Sequence, residues 1–145
     1  MFRKLGMVVA VLTALIVVAG STLAASAHFI GTPKLTVSGN SITVTASVAG
    51  LGNAAGADFS LTGSVDVFSR CYNRGGNKPQ ADNKQETIAV DQSATFPVRN
   101  GRTNVSFTIT PLSTLTCPGN QVVVIESISW DLTLEGEGVS FNFQS

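Results

Sequence analysis

The sequence predicts an all-β domain, a two-sheet antiparallel β-sandwich, on three observations. Apolar and polar residues alternate along much of positions 28–145, the period of a strand with one face on a core and one in water. Turn signals such as Ser38-Gly39-Asn40, Asn100-Gly101 and Glu135-Gly136-Glu137-Gly138 separate these runs. No helical periodicity appears in that stretch, and seven or eight short strands in about 120 residues suit a sandwich. An immunoglobulin-like Greek key is the first topology expected and a jelly roll the second.

The elements follow in order. Lys34 to Ser38 reads as a weak strand. Ser41 to Val48 sets Ile42, Val44, Ala46 and Val48 on one face. Phe59, Leu61, Val65 and Val67 share a face with Gly63 between them. Glu86 to Val90 and Ala94 to Val98 read as two further weak strands. Thr103 to Thr110 alternates Val105, Phe107 and Ile109 with polar residues, and Val139, Phe141 and Phe143 do the same at the end. Gln121 to Leu134 is the longest segment. Ile128, Trp130, Leu132 and Leu134 keep one parity and Val123 and Ile125 the other, so a β-bulge or a change of sheet is expected near Glu126-Ser127. Trp130 shares the apolar parity and is assigned to the core.

Ahead of the strands, Arg3 and Lys4 precede an apolar run from Leu5 to Val18, and Ala25-Ser26-Ala27 ends the segment. Basic start, apolar stretch and small-x-small exit form an export signal. Residues 1–27 are therefore predicted to be removed, leaving one domain at 28–145 in a secreted, extracellular protein. The run is short for a membrane span, which needs about 20 residues, so no membrane association is expected after cleavage. Residue 28 is His and not Cys, which argues against lipid anchoring. The predicted mature part carries seven basic against nine acidic side chains, a net of −2, whereas nucleic-acid binders carry a basic excess. Cys71 and Cys117 both lie in the exported part, and an even count in an oxidising compartment predicts one disulfide. It is expected to join two connections at one end of the sandwich.

Arg70 to Lys84 reads as a long loop with four cations, one acid, one aromatic and adjacent glycines, and loops of that length are often functional. Tyr72 can stack on a sugar or base, and Arg70, Arg74, Lys78 and Lys84 can meet carboxylate or phosphate. Asn73 and Asn83 offer amides, and Gly75-Gly76 permits close approach of a ligand to the backbone. The same composition also serves turn formation alone.

On Ala27-His28-Phe29, Gly50-Leu51-Gly52-Asn53, the pattern C-x-N-x-G-G-x-x-P-Q-A-x-N-K from Cys71 to Lys84 and C-P-x-x-Q from Cys117 to Gln121, the chain resembles a family of small exported, uncharacterised bacterial and fungal proteins. The resemblance spans most of positions 28–145. It implies a secreted, disulfide-stapled all-β domain and lends no catalytic residue.

Cutting after Ala27 would make His28, the chain's one histidine, the first residue. Its amino group and imidazole then form a chelate suited to copper. Lytic polysaccharide monooxygenases mature to such a histidine on a β-sandwich but add a second histidine, which this chain lacks. His28 is otherwise the polar residue before the first strand.

Nucleophilic hydrolysis needs a histidine base beside Ser or Cys, and the sole histidine lies at a terminus. Glu126 and Asp131 fall on opposite faces of a regular strand, and Glu135 and Glu137 flank a turn glycine. No phosphate loop, dinucleotide fingerprint or zinc spacing is present. The sequence thus predicts a monomeric, non-enzymatic extracellular protein with no required cofactor, binding an unidentified partner such as a cell-wall or polysaccharide surface. Copper binding at His28 is the alternative from another class. An inhibitor or effector of a secreted protein is the third.

Overall fold

The computed structural model describes residues 26–75 and 79–145, with the backbone alone at 79–81. The expected signal segment up to residue 25, and Gly76 and Lys78 of the predicted binding loop, lie outside the described residues. The described chain forms eight strands and no helix: β1 (His28–Phe29), β2 (Lys34–Ser38), β3 (Ser41–Ala49), β4 (Gly56–Tyr72), β5 (Pro79–Pro97), β6 (Thr103–Ile109), β7 (Val122–Gly136) and β8 (Val139–Gln144).

Two antiparallel sheets result. In the first, β6 covers one edge of β3 along residues 42–48, while β1 and β2 pair in succession with 48–49 and 41–45 of its other edge. The second has the order β5-β4-β7-β8. Alternation along each strand turns an apolar face inward. Ile42, Val44 and Val48 of β3 and Val105, Phe107 and Ile109 of β6 meet Phe59, Leu61, Val65 and Val67 of β4 and Leu132 and Leu134 of β7, all buried in one core. Edge-to-face aromatic pairs bridge the sheets, Phe96 with Phe107 at 5.5 Å and Phe29 with Phe141 at 6.2 Å between ring centres. Trp130 is half-buried and packs against this core.

The expected phase change in β7 is a β-bulge. Phe68 pairs with Ser127 and Ser69 with Ile125, leaving Glu126 as the extra residue. The bulge lets Ile125 and Ile128, which are of opposite parity, both pack against the core.

Two expectations are corrected. Glu86 to Val90 and Ala94 to Val98, read as two strands, belong to one strand that ends at Pro97, and the loop Arg70–Lys84 is mostly strand too. The β4 and β5 strands pair residue for residue from Gly56–Pro97 to Arg70–Asn83, with a further pair at Tyr72–Pro79. The continuity was hidden because β5 is a sheet edge. Of its inward residues Val90 is buried, but Glu86, Ile88, Gln92 and Phe96 are only half-buried, so little apolar alternation is required. Polar Gln92 fits an inward position because its Nε2 donates to the Thr108 carbonyl of β6 at 3.1 Å.

With β4, β5 and β7 at 17, 19 and 15 residues against 9 and 7 for β3 and β6, the second sheet outruns the first. The connection 110–121 between β6 and β7 supplies cover for the excess. It begins with a cis Thr110–Pro111 bond and buries Leu112 completely. The Asn40 side-chain oxygen accepts the amides of Leu112 at 3.0 Å and Ser113 at 2.9 Å. The hydroxyls of Ser113 and Ser69, both buried, lie 2.7 Å apart.

At Gly63, β4 runs close against the backbone of β7. Its φ is +134°, and a Cβ there would stand 2.0 Å from the Asp131 carbonyl oxygen. Gly63→Ala is expected to destabilise the fold by at least about 2 kcal/mol, read as a lower urea midpoint.

Candidate functional site at the disulfide end

Cys71 is the penultimate residue of β4 and fully buried, and it is bonded to Cys117 in the 110–121 connection with the Cα atoms 5.6 Å apart. The expectation that both cysteines lie in connections is thus corrected for Cys71. Its inward position follows from the alternation of β4, in step with Val65, Val67 and Ser69. By the chain-entropy relation, a bond across 46 residues stabilises by up to about 4 kcal/mol. It also fixes the β4–β5 hairpin tip beside the Pro118–Gln121 turn.

Residues of the other parity in β4, Phe68, Arg70 and Tyr72, point away from the core. Glu126, at the bulge, meets them. Its Oε2 lies 3.1 Å from Arg70 Nε, and the Tyr72 hydroxyl donates to its Oε1. The Arg70 guanidinium carbon also sits 5.0 Å from the Phe68 ring centre, in cation–π range. Arg70 Nε is shielded from water without a well-angled hydrogen bond, so the Glu126 charge is what offsets its burial. The bond to Glu126, followed by lost hydration and the Glu126 charge, raises the Tyr72 pKa above 10.0, with Arg70 opposing. Val122 and Val124, exposed by 42% and 37%, extend this face with apolar surface.

Lys84 faces the other way. Its Nζ donates to Thr114 Oγ1 at 2.6 Å and stands 3.6 Å from Glu86. Glu86 accepts the Thr114 hydroxyl and, at 3.0 Å, the Thr114 amide. Bonding from the Thr114 hydroxyl, against the cost of lost hydration and with further help from the Thr114 amide, Ser113 and Lys84, lowers the Glu86 pKa below 4.5. The network fastens β5 to the covering connection.

The predicted binding cations therefore do not form one patch. Arg70 is neutralised by Glu126 on the outer face, Lys84 by Glu86 on the core side, and Arg74 is exposed near the hairpin tip. Asn73 and Gly75 are exposed with it, and Asn83 pairs across from Arg70. Asn73 and Arg74 line an open depression of about 550 Å³ with Pro118, Gly119, Asn120 and Gln121.

Glu126 was absent from the sequence-derived binding set, although the parity change in β7 pointed to its position. As a carboxylate pair with Asp131 it is not arranged, because Asp131 accepts from Asn142 at 2.9 Å instead. Glu137 is engaged by the Asp58 amide at 2.9 Å.

His28 lies at the opposite end. It pairs with Ala49, where β3 ends, whereas Asn40, at the start of β3, touches the connection. Its Nδ1 is 3.1 Å from the Ser26 carbonyl, an acceptor that cutting after Ala27 would remove. A shallow depression beside it is lined by Asn53, Asn100 and Arg102, among others. Among the described residues no group of three His, Cys, Asp or Glu side chains is placed to hold a metal ion. No helix among them is long and apolar enough to cross a membrane. No family model matches the chain, and no curated protein matches it.

Tyr72 is the chain's single tyrosine, so tyrosinate absorbance reports it alone. Its titration midpoint is expected above 10.0, and Glu126→Gln is expected to lower it. Glu86 has the opposite sign. A depressed folded pKa contributes stability above the unfolded pKa, and that contribution disappears as pH falls through the folded value. Urea unfolding should therefore show wild type exceeding Glu86→Gln most at neutral pH, with the gap narrowing in acid below 4.5.

Proposed function

We propose that this chain is a secreted, non-enzymatic β-sandwich protein that binds a cell-exterior surface through its disulfide end. The observation that carries the reading is the joining of two separate segments into one face by Cys71–Cys117. Hairpin residues Tyr72, Asn73 and Arg74 stand beside the Pro118–Gln121 turn and the exposed Val122 and Val124. An aromatic ring, a cation and uncovered aliphatic surface together are the usual composition of a contact face.

Export is supported by the leader pattern and by the disulfide, which persists in oxidising compartments. The non-enzymatic reading is supported by the separation of His28 from the buried Ser69–Ser113 pair, which lies at the other end of the fold. The strand orders, with β3 beside β6 in one sheet and β4 beside β7 in the other, favour an immunoglobulin-like Greek key over a jelly roll.

Combining Tyr72→Ala with Arg74→Ala should abolish retention on a panel of cell-wall and polysaccharide matrices while changing the melting temperature little. Undiminished retention of the double variant, or no retention of the wild type, sinks the reading.

A further inference from the structure

Resting on that reading, we infer that the depression between the hairpin tip and the Pro118–Gln121 turn is a subsite for a carboxylated saccharide, a uronate unit. Four polar residues line it: Asn73, Arg74, Asn120 and Gln121. Among the described residues, no carboxylate pairs with Arg74, whereas Arg70 and Lys84 nearby are each matched to a glutamate. The guanidinium therefore presents an uncompensated fork of donors, the geometry that takes a carboxylate in two parallel hydrogen bonds.

The amides supply the rest of the recognition. Each side-chain amide both donates and accepts, as a sugar hydroxyl does. Gln121 holds its Oε1 out of water with no donor among the described residues, an unmatched acceptor of the kind that requires an explanation. Pro118 adds an apolar ring on the same wall, suited to the C–H face of a sugar.

The volume of about 550 Å³ lies within the range of small-ligand clefts. The disulfide sets the two walls relative to each other before any ligand arrives, so little ordering cost falls on binding. A fully ionised phosphate would take the amide N–H groups but, having no hydroxyl to donate, would leave the amide oxygens unmatched. A neutral sugar would leave the guanidinium unused.

Isothermal titration of the purified protein with trigalacturonic acid, its methyl ester and maltotriose tests this. The acid should bind, with the ester and maltotriose weaker by about tenfold or more. Arg74→Gln should weaken the acid by about the same factor and leave the ester unchanged. Asn120→Ala should weaken acid and ester alike, with neither variant shifting the melting temperature. Equal affinity for acid and ester, or an acid affinity indifferent to Arg74→Gln or to Asn120→Ala, overturns the subsite. A protein retained on the matrix panel but silent towards the acid keeps its contact face and loses this ligand. Silence on both overturns both.

Discussion

A mismatch in strand length has to be covered. The β4–β5–β7 portion of the second sheet extends past the three-strand-wide first sheet, so the inner surface around Ser69 and Cys71 has no opposing strand. An uncovered sheet face of that kind would expose apolar area and waste its burial energy. The connection 110–121 fills the position. It is fastened by Asn40 from the first sheet, by Ser69 and Cys71 from β4, and by Glu86 from β5. Together they make one element answer to both sheets.

The same arrangement shapes the outer surface. Because the inner side is covered, β4 stays extended to Tyr72, and its alternation carries Arg70 and Tyr72 outward in register with the bulged Glu126. A bulge is a costly interruption of the ladder, yet here it keeps apolar residues of both parities on the core side and presents a carboxylate beside Arg70. Core packing and surface chemistry thus meet at one irregularity. The disulfide then brings the hairpin tip against the turn that leads into β7.

Much of this was legible beforehand. Ile42, Val44 and Val48, or Val105, Phe107 and Ile109, declare their face by alternation alone, because a strand between two neighbours buries one side fully. The Asn100-Gly101 and Glu137-Gly138 turns were legible for a related reason. Both residues in each adopt positive φ, which few side chains tolerate. By contrast, β5 escaped notice since an edge strand buries only part of its inward face, and Asp91-Gln92-Ser93 in its middle looks like a turn.

The order of residues along the chain assigns the sheet faces, most of the turns and the position of the bulge, because these depend on neighbours one to three residues apart. It also nominated the cation-rich segment after Cys71. How that segment is used depends on contacts made between strands and with the covering connection. Arg70 and Lys84 meet different glutamates, 56 and two residues away, on opposite faces of one sheet, and among the described residues Arg74 has none. The Arg70–Glu126 contact is set by the register of β4 against β7, and the covering connection brings Thr114 onto the neighbouring Lys84 and Glu86. Those are non-local pairings, and no local period encodes them.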